Sequence, residues 1–159
     1  MSAYGFDNQR KKAKVLFERM EQALLLNQQT IGETAIKEAR LNGSYTDRTG
    51  NLRNSVGYRQ RYEGGKIAEA VTAETKPFLT GAEGADLPVA SSECRAALDA
   101  MLADISKSKM ALCVVAGMSY GVFVEHNYNV LSSARRIAFK MWSDAVPRVV
   151  SKTIKQLYR

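Results

Sequence analysis

Two cysteines, one histidine, one tryptophan and three prolines are all that this 159-residue chain holds of those types, and each scarcity closes a route. Cys94 and Cys113 sit in apolar contexts without metal or redox spacing, so both read as reduced core residues. The single histidine, His126, has only Glu125 beside it, and the local alternation reads as a strand, where adjacent side chains point to opposite faces. That leaves no histidine-based triad or metal cluster to assemble from neighbours. Ser44, Thr46, Thr49 and Ser55 have no motif-linked base for nucleophilic work. Asp47 and Asp86 lack the spacing of a carboxylate pair or cation cage, and the GAEG at 81–84 lacks the lysine of a phosphate loop. No catalytic residue, cofactor or metal site is therefore expected, nor an enzyme. No apolar run nears the roughly 18 residues of a membrane span. The opening MSAYGFDNQRKKAK lacks the apolar stretch of a secretory signal, which sets the expectation of a protein kept in a cytoplasm. Asn42-Gly43-Ser44 then marks a turn rather than a glycosylation site.

Acids are also in short supply. Against 23 Lys and Arg stand 16 Asp and Glu, for a net charge of +7. The excess is concentrated: Arg135, Arg136, Lys140, Arg148, Lys152, Lys155 and Arg159 face one acid, Asp144, so the last thirty residues carry +6 of it. Such a segment is either a solvated helix face or a surface for a polyanion, nucleic acid or acidic protein. A hydrophobic share of 45% and a charged share of 25% are those of a globular chain of ordinary domain size.

From about Asn8 to Leu41, Leu16, Met20, Leu24, Ile31 and Ala35 recur at helical spacing, widened by Val15, Ala23 and Ala39. This predicts one long amphipathic helix closed by Asn42-Gly43. Gly32 inside it signals a kink or a close helix contact. In YTDRTGNLRNSVGY, Tyr45 to Tyr58, Thr49 can cap a single helical turn, making the stretch a corner that feeds the chain into a strand. Leu52, its one large apolar residue before Val56, is expected in the core. Val56, Tyr58, Gln60 and Tyr62 then alternate with Gly57, Arg59 and Arg61, the period of a strand with one exposed face. Glu63-Gly64-Gly65-Lys66 predicts a hairpin turn, and KIAEAVTAE the returning strand.

Residues 74–90 hold two prolines and two glycines and read as a long mobile loop, whose Phe78, Leu79, Leu87 and Val89 can serve as assembly contacts. A helix over 91–108, capped by Ser91 or Ser92, presents Cys94, Ala97, Leu98, Met101, Leu102 and Ile105 on one face. MALCVVAG suits a buried central strand, and MSYGVFVEHN continues or pairs with it. From Val130 a last helix runs to the C-terminus and should kink or restart at Pro147. These elements predict a single α+β domain over 1–159, with a long N-terminal helix and a kinked C-terminal helix packed on a small, mostly antiparallel sheet of about four strands.

The order of long helix, TGNLRNSV corner, strand, hairpin and later GMSYGVFVEHN before a C-terminal helix resembles the head-tail joining and tail-completion (neck) proteins of tailed bacteriophages. Thr49, Gly50, Leu52, Arg53 and Ser55 stand where that family shows Thr-Gly-x-Leu-Arg-x-Ser. Tyr120, Val124 and Glu125 stand in its Tyr-x-x-x-Val-Glu strand. The chain departs from the family in lacking the proline before the Thr-Gly and the Glu-x-Gly-Thr after the strand, and the helix at 91–108 reads as an insertion. The resemblance implies a structural virion protein: copies in a homo-oligomeric ring at the head-tail junction, beside portal-side connector and tail proteins, assembled in the host cytoplasm. Arg135, Arg136, Lys140, Lys152, Lys155 and Arg159 would then meet the passing DNA without reading its sequence, or an acidic partner. The alternative is a small basic nucleic-acid-binding protein that stacks bases on the strand bearing Tyr58, Arg59, Arg61 and Tyr62.

Overall fold

A computed structural model describes residues 3–41, 50–61, 67–70, 87–105 and 110–158. Helix α1 spans Ala3–Leu41, α2 Asn51–Asn54, β1 Val56–Arg61, β2 Ile67–Ala70, α3 Leu87–Ala103, β3 Ala111–Ala116, α4 Gly121–Tyr128 and α5 Val130–Leu157. The expected α+β architecture is present, but the described sheet is smaller than expected. It has three strands in the order β2-β1-β3, antiparallel throughout, with Tyr58 opposite Ala70 on one side and Val114 on the other.

The sheet separates two apolar layers. Val56 and Tyr58 on β1, with Leu112, Val114 and Ala116 on β3, meet Ala35, Ile36 and Ala39 of α1 and Val130 and Ala134 of α5. The opposite face of β3, Ala111, Cys113 and Val115, packs on Cys94, Leu98 and Leu102 of α3. The period of two along each strand thus puts alternate residues into separate cores.

Along α1, Leu16, Ile31, Ala35, Ile36 and Ala39 are buried, whereas Val15 is 45% exposed and lies off the stripe. Polar residues bond back into the helix: Thr34 Oγ1 donates to the Thr30 carbonyl at 2.8 Å and Asn27 Nδ2 to that of Ala23 at 2.7 Å. The close approach expected at Gly32 is to a strand, not a helix. A Cβ there would lie 2.5 Å from Cδ2 of Tyr58, so the missing side chain is what lets the ring lie against α1.

Several sequence expectations are corrected. β1 is buried along its whole length, because α3 covers the face that Arg59 and Arg61 seemed to give to solvent. α3 begins at Leu87 and ends at Ala103, so Leu87 and Val89 are helical. Pro88 falls in the first turn, where a missing amide costs no helical bond. Ser92 consequently lies inside α3, its hydroxyl donating to the Val89 carbonyl at 3.0 Å, and neither Ser91 nor Ser92 is the cap. β3 lies at an edge of the described sheet, and β1 is the centre. Residues 121–128 form helix α4 and not a strand. α5 runs through Pro147 without a restart. The Asn42-Gly43 cap, Thr49, Tyr62, the 63–66 turn, Phe78, Leu79 and Arg159 lie outside the described residues.

Candidate functional site

The corner starts at Gly50, which takes the cap position expected of Thr49, carries no side-chain cap bond, and has a φ of 77°, left-handed backbone that glycine adopts without strain. One turn of helix follows and delivers Leu52, 3% exposed, into the core. Arg53 Nη1 donates to the Arg40 carbonyl while Arg40 Nη2 donates to the Val56 carbonyl at 2.7 Å, which bolts the corner to the end of α1. Ser55 is fully buried. Its hydroxyl donates to the Leu52 carbonyl at 2.8 Å and accepts the Met118 amide at 3.3 Å, and its carbonyl accepts the Gly117 amide at 3.0 Å.

That clasp unites the two sequence motifs. Gly121 completes it, since a Cβ there would stand 3.3 Å from Cδ1 of Leu52. Tyr120 occupies the residue before α4, and Val124 packs toward the α1 core. Asn129 ends α4 in left-handed backbone, φ 53°, as Asn tolerates. Glu125 then caps α5, accepting the amides of Leu131 at 2.5 Å and Ser132 at 3.0 Å together with the Ser132 hydroxyl. A carboxylate at a helix start satisfies orphan amides and opposes the helix dipole. Glu125 has a structural task, and His126 is exposed on the same helix.

The described strand residues of the base-stacking alternative are not available to bases. Tyr58 is 1%, Arg59 4% and Arg61 5% exposed. Tyr58 donates its hydroxyl to Glu33 at 2.9 Å, and burial, with the Glu33 bond and charge, drives its pKa well up. Arg59 pairs with the exposed Asp99 on α3. Arg61 donates to the carbonyls of Leu102 at 3.1 Å and Ile105 at 2.5 Å, closing the end of α3, where carbonyls lack helical partners.

On α5, Arg135, Arg136, Lys140, Arg148, Lys152 and Lys155 are all exposed. Pro147, Arg148, Ser151, Lys152 and Lys155 border a shallow basic depression of about 440 Å³. The apolar side of this half is uncovered too, with Ile154 49% and Tyr158 86% exposed. Sequence reasoning missed a second feature, a half-open apolar cleft of about 670 Å³ between α1, β3 and α5, with Met101 of α3 at its edge. Its lining comes from five elements, so no local motif announces it. Val122, Phe123 and Phe139 stand 75%, 73% and 74% exposed nearby in sequence. Among the described residues no three His, Cys, Asp or Glu side chains gather as metal ligands, and no helix is long and apolar enough to cross a membrane. Comparison with protein families, with curated proteins and with solved structures finds no match to this chain.

Proposed function

We propose that the chain is a structural component of a tailed-phage or prophage virion, a member of a ring at the head-tail junction around the DNA channel. The observation that carries this reading is the clasp of Ser55 on Gly117 and Met118, which brings together the two sequence motifs of the family resemblance, the second of them here in helix α4 where the family has a strand. Both serve as scaffold: one turns the chain into the sheet, the other caps α5. What the scaffold displays is contact surface. A ring needs a different patch on each side of every copy, and exposed Phe17, Leu26, Val122, Phe123 and Phe139 on three helices supply apolar ones. The basic face of α5 meets phosphates or an acidic neighbouring ring.

The test is binding as a function of salt. Duplex DNA should bind weakly, without sequence preference, and be released at moderate salt, because exposed Lys and Arg on a helix act through phosphate charge alone. Replacing Lys152 and Lys155 with Glu should impair particle assembly or genome passage while leaving the fold intact. Tight binding to one sequence, persisting at about 0.2 M salt, would instead make the chain a nucleic-acid regulator.

A further inference from the structure

We infer that the cleft between α1, β3 and α5 is a docking site for an acidic peptide segment of a partner protein, anchored by an aromatic side chain that carries an N–H or O–H donor. The volume, about 670 Å³, falls within the roughly 300 to 1,000 Å³ of ligand sites, room for one large aromatic and its flanking side chains. Ile31, Leu112, Val114, Leu131, Phe139 and Trp142 make the wall apolar. Met101 and Met110 at its border are flexible enough to mould to an inserted ring.

Two polar observations define the occupant. Gln28 lines the cleft with 2% of its surface exposed, and its Oε1 is buried without a hydrogen-bond partner. An acceptor left so is costly, and an arriving indole N–H or phenol O–H would satisfy it. An indole suits best because it donates and has nothing to accept. The second is charge. Glu125 is the one acid on the lining, and it is engaged by the first turn of α5. Among the described residues Arg135 is thus the one cation on the lining, on a helix that also carries the exposed Arg136 and Lys140, and carboxylates flanking the anchor complement that charge. The site gives the assembly reading a partner contact and rests on that reading only for the partner's being a neighbouring virion protein.

The experiment uses three synthetic decapeptides labelled with fluorescein: one with a central Trp flanked by Asp and Glu, one with Lys in place of those acids, and one acidic peptide with naphthylalanine in place of Trp. Fluorescence anisotropy should show saturable binding of the acidic Trp peptide, at least tenfold tighter than the Lys peptide. It should also exceed the naphthylalanine peptide by roughly 3- to 10-fold, the range of one hydrogen bond. Gln28→Met keeps the apolar volume and should abolish the preference for Trp over naphthylalanine. The surface change Arg135→Glu should shift the preference toward the Lys peptide, and Ala138→Trp should block all three. Absence of saturable binding, equal binding of acidic and basic peptides, or binding indifferent to these changes would overturn the proposal. So would binding of anilinonaphthalene sulfonate alone, since that would make the cleft a small-molecule site. Failure here leaves the ring untouched, because ring formation is read from particles.

Discussion

Met118 donates its amide to the Ser55 hydroxyl at 3.3 Å across 63 residues of chain. With the Gly117 amide on the Ser55 carbonyl, one buried serine fixes where the chain leaves β3 relative to where it enters β1. Ser55→Ala keeps the backbone bond but strands the Met118 amide. Urea unfolding should show a loss of about 0.5 to 1.5 kcal/mol, the net worth of a hydrogen bond to a part-buried donor. An unchanged midpoint would mean that the clasp rests on the backbone bond alone.

Gly32→Ala should destabilise the protein although alanine favours a helix by about 1 kcal/mol over glycine. The new methyl would meet the ring of Tyr58 at 2.5 Å, and overpacking of this kind costs about 1 to 3 kcal/mol. In a Tyr58→Leu background the same change should cost less, and a double-mutant cycle reads the difference. Equal costs in both backgrounds would place the strain elsewhere.

Leu52 is 3% exposed and packs with Val56 and Tyr58. Leu52→Ala should cost roughly 2 to 5 kcal/mol by denaturant titration, the range for a buried leucine. A neutral result would contradict the burial.

Burial pushes the Cys94 thiol from its ordinary 9.0 up to about 11, with Arg40 and Arg59 partly opposing it, and raises Cys113 likewise. In the unfolded chain both thiols ionise near the ordinary value, so above it the unfolded state sheds protons that the folded state keeps. The stabilisation is full below pH 9.0 and is lost as pH rises toward about 11. Unfolding midpoints should fall over that window, less steeply in Cys94→Ala. At neutral pH a thiol-specific reagent should label neither cysteine until urea is added.

The periodic elements were legible in the sequence: α1 from its apolar stripe, the β1-β2 pair from alternation and the face of α3 from Cys94, Leu98 and Leu102. Local pattern failed where tertiary context decides. Arg59 and Arg61 alternate as solvent-facing residues do, yet an acid on α3 and two carbonyls at and just beyond its end receive them. Tyr120, Val122 and Val124 alternate as in a strand, but the segment is helical, ended by left-handed Asn129 and tied to α5 through Glu125. Asn129 was the available signal. The corner was readable because Gly50 and Leu52 act locally. The cleft was not, since Gln28, Leu112 and Leu131 meet only after folding.

The central claim is tested most directly by locating the chain in particles produced from the genome that encodes it. Immunogold electron microscopy of purified particles should place it at the junction of head and tail, and quantitative mass spectrometry should find several copies per particle. Its absence from tailed particles, or its distribution over the capsid shell, would contradict the account.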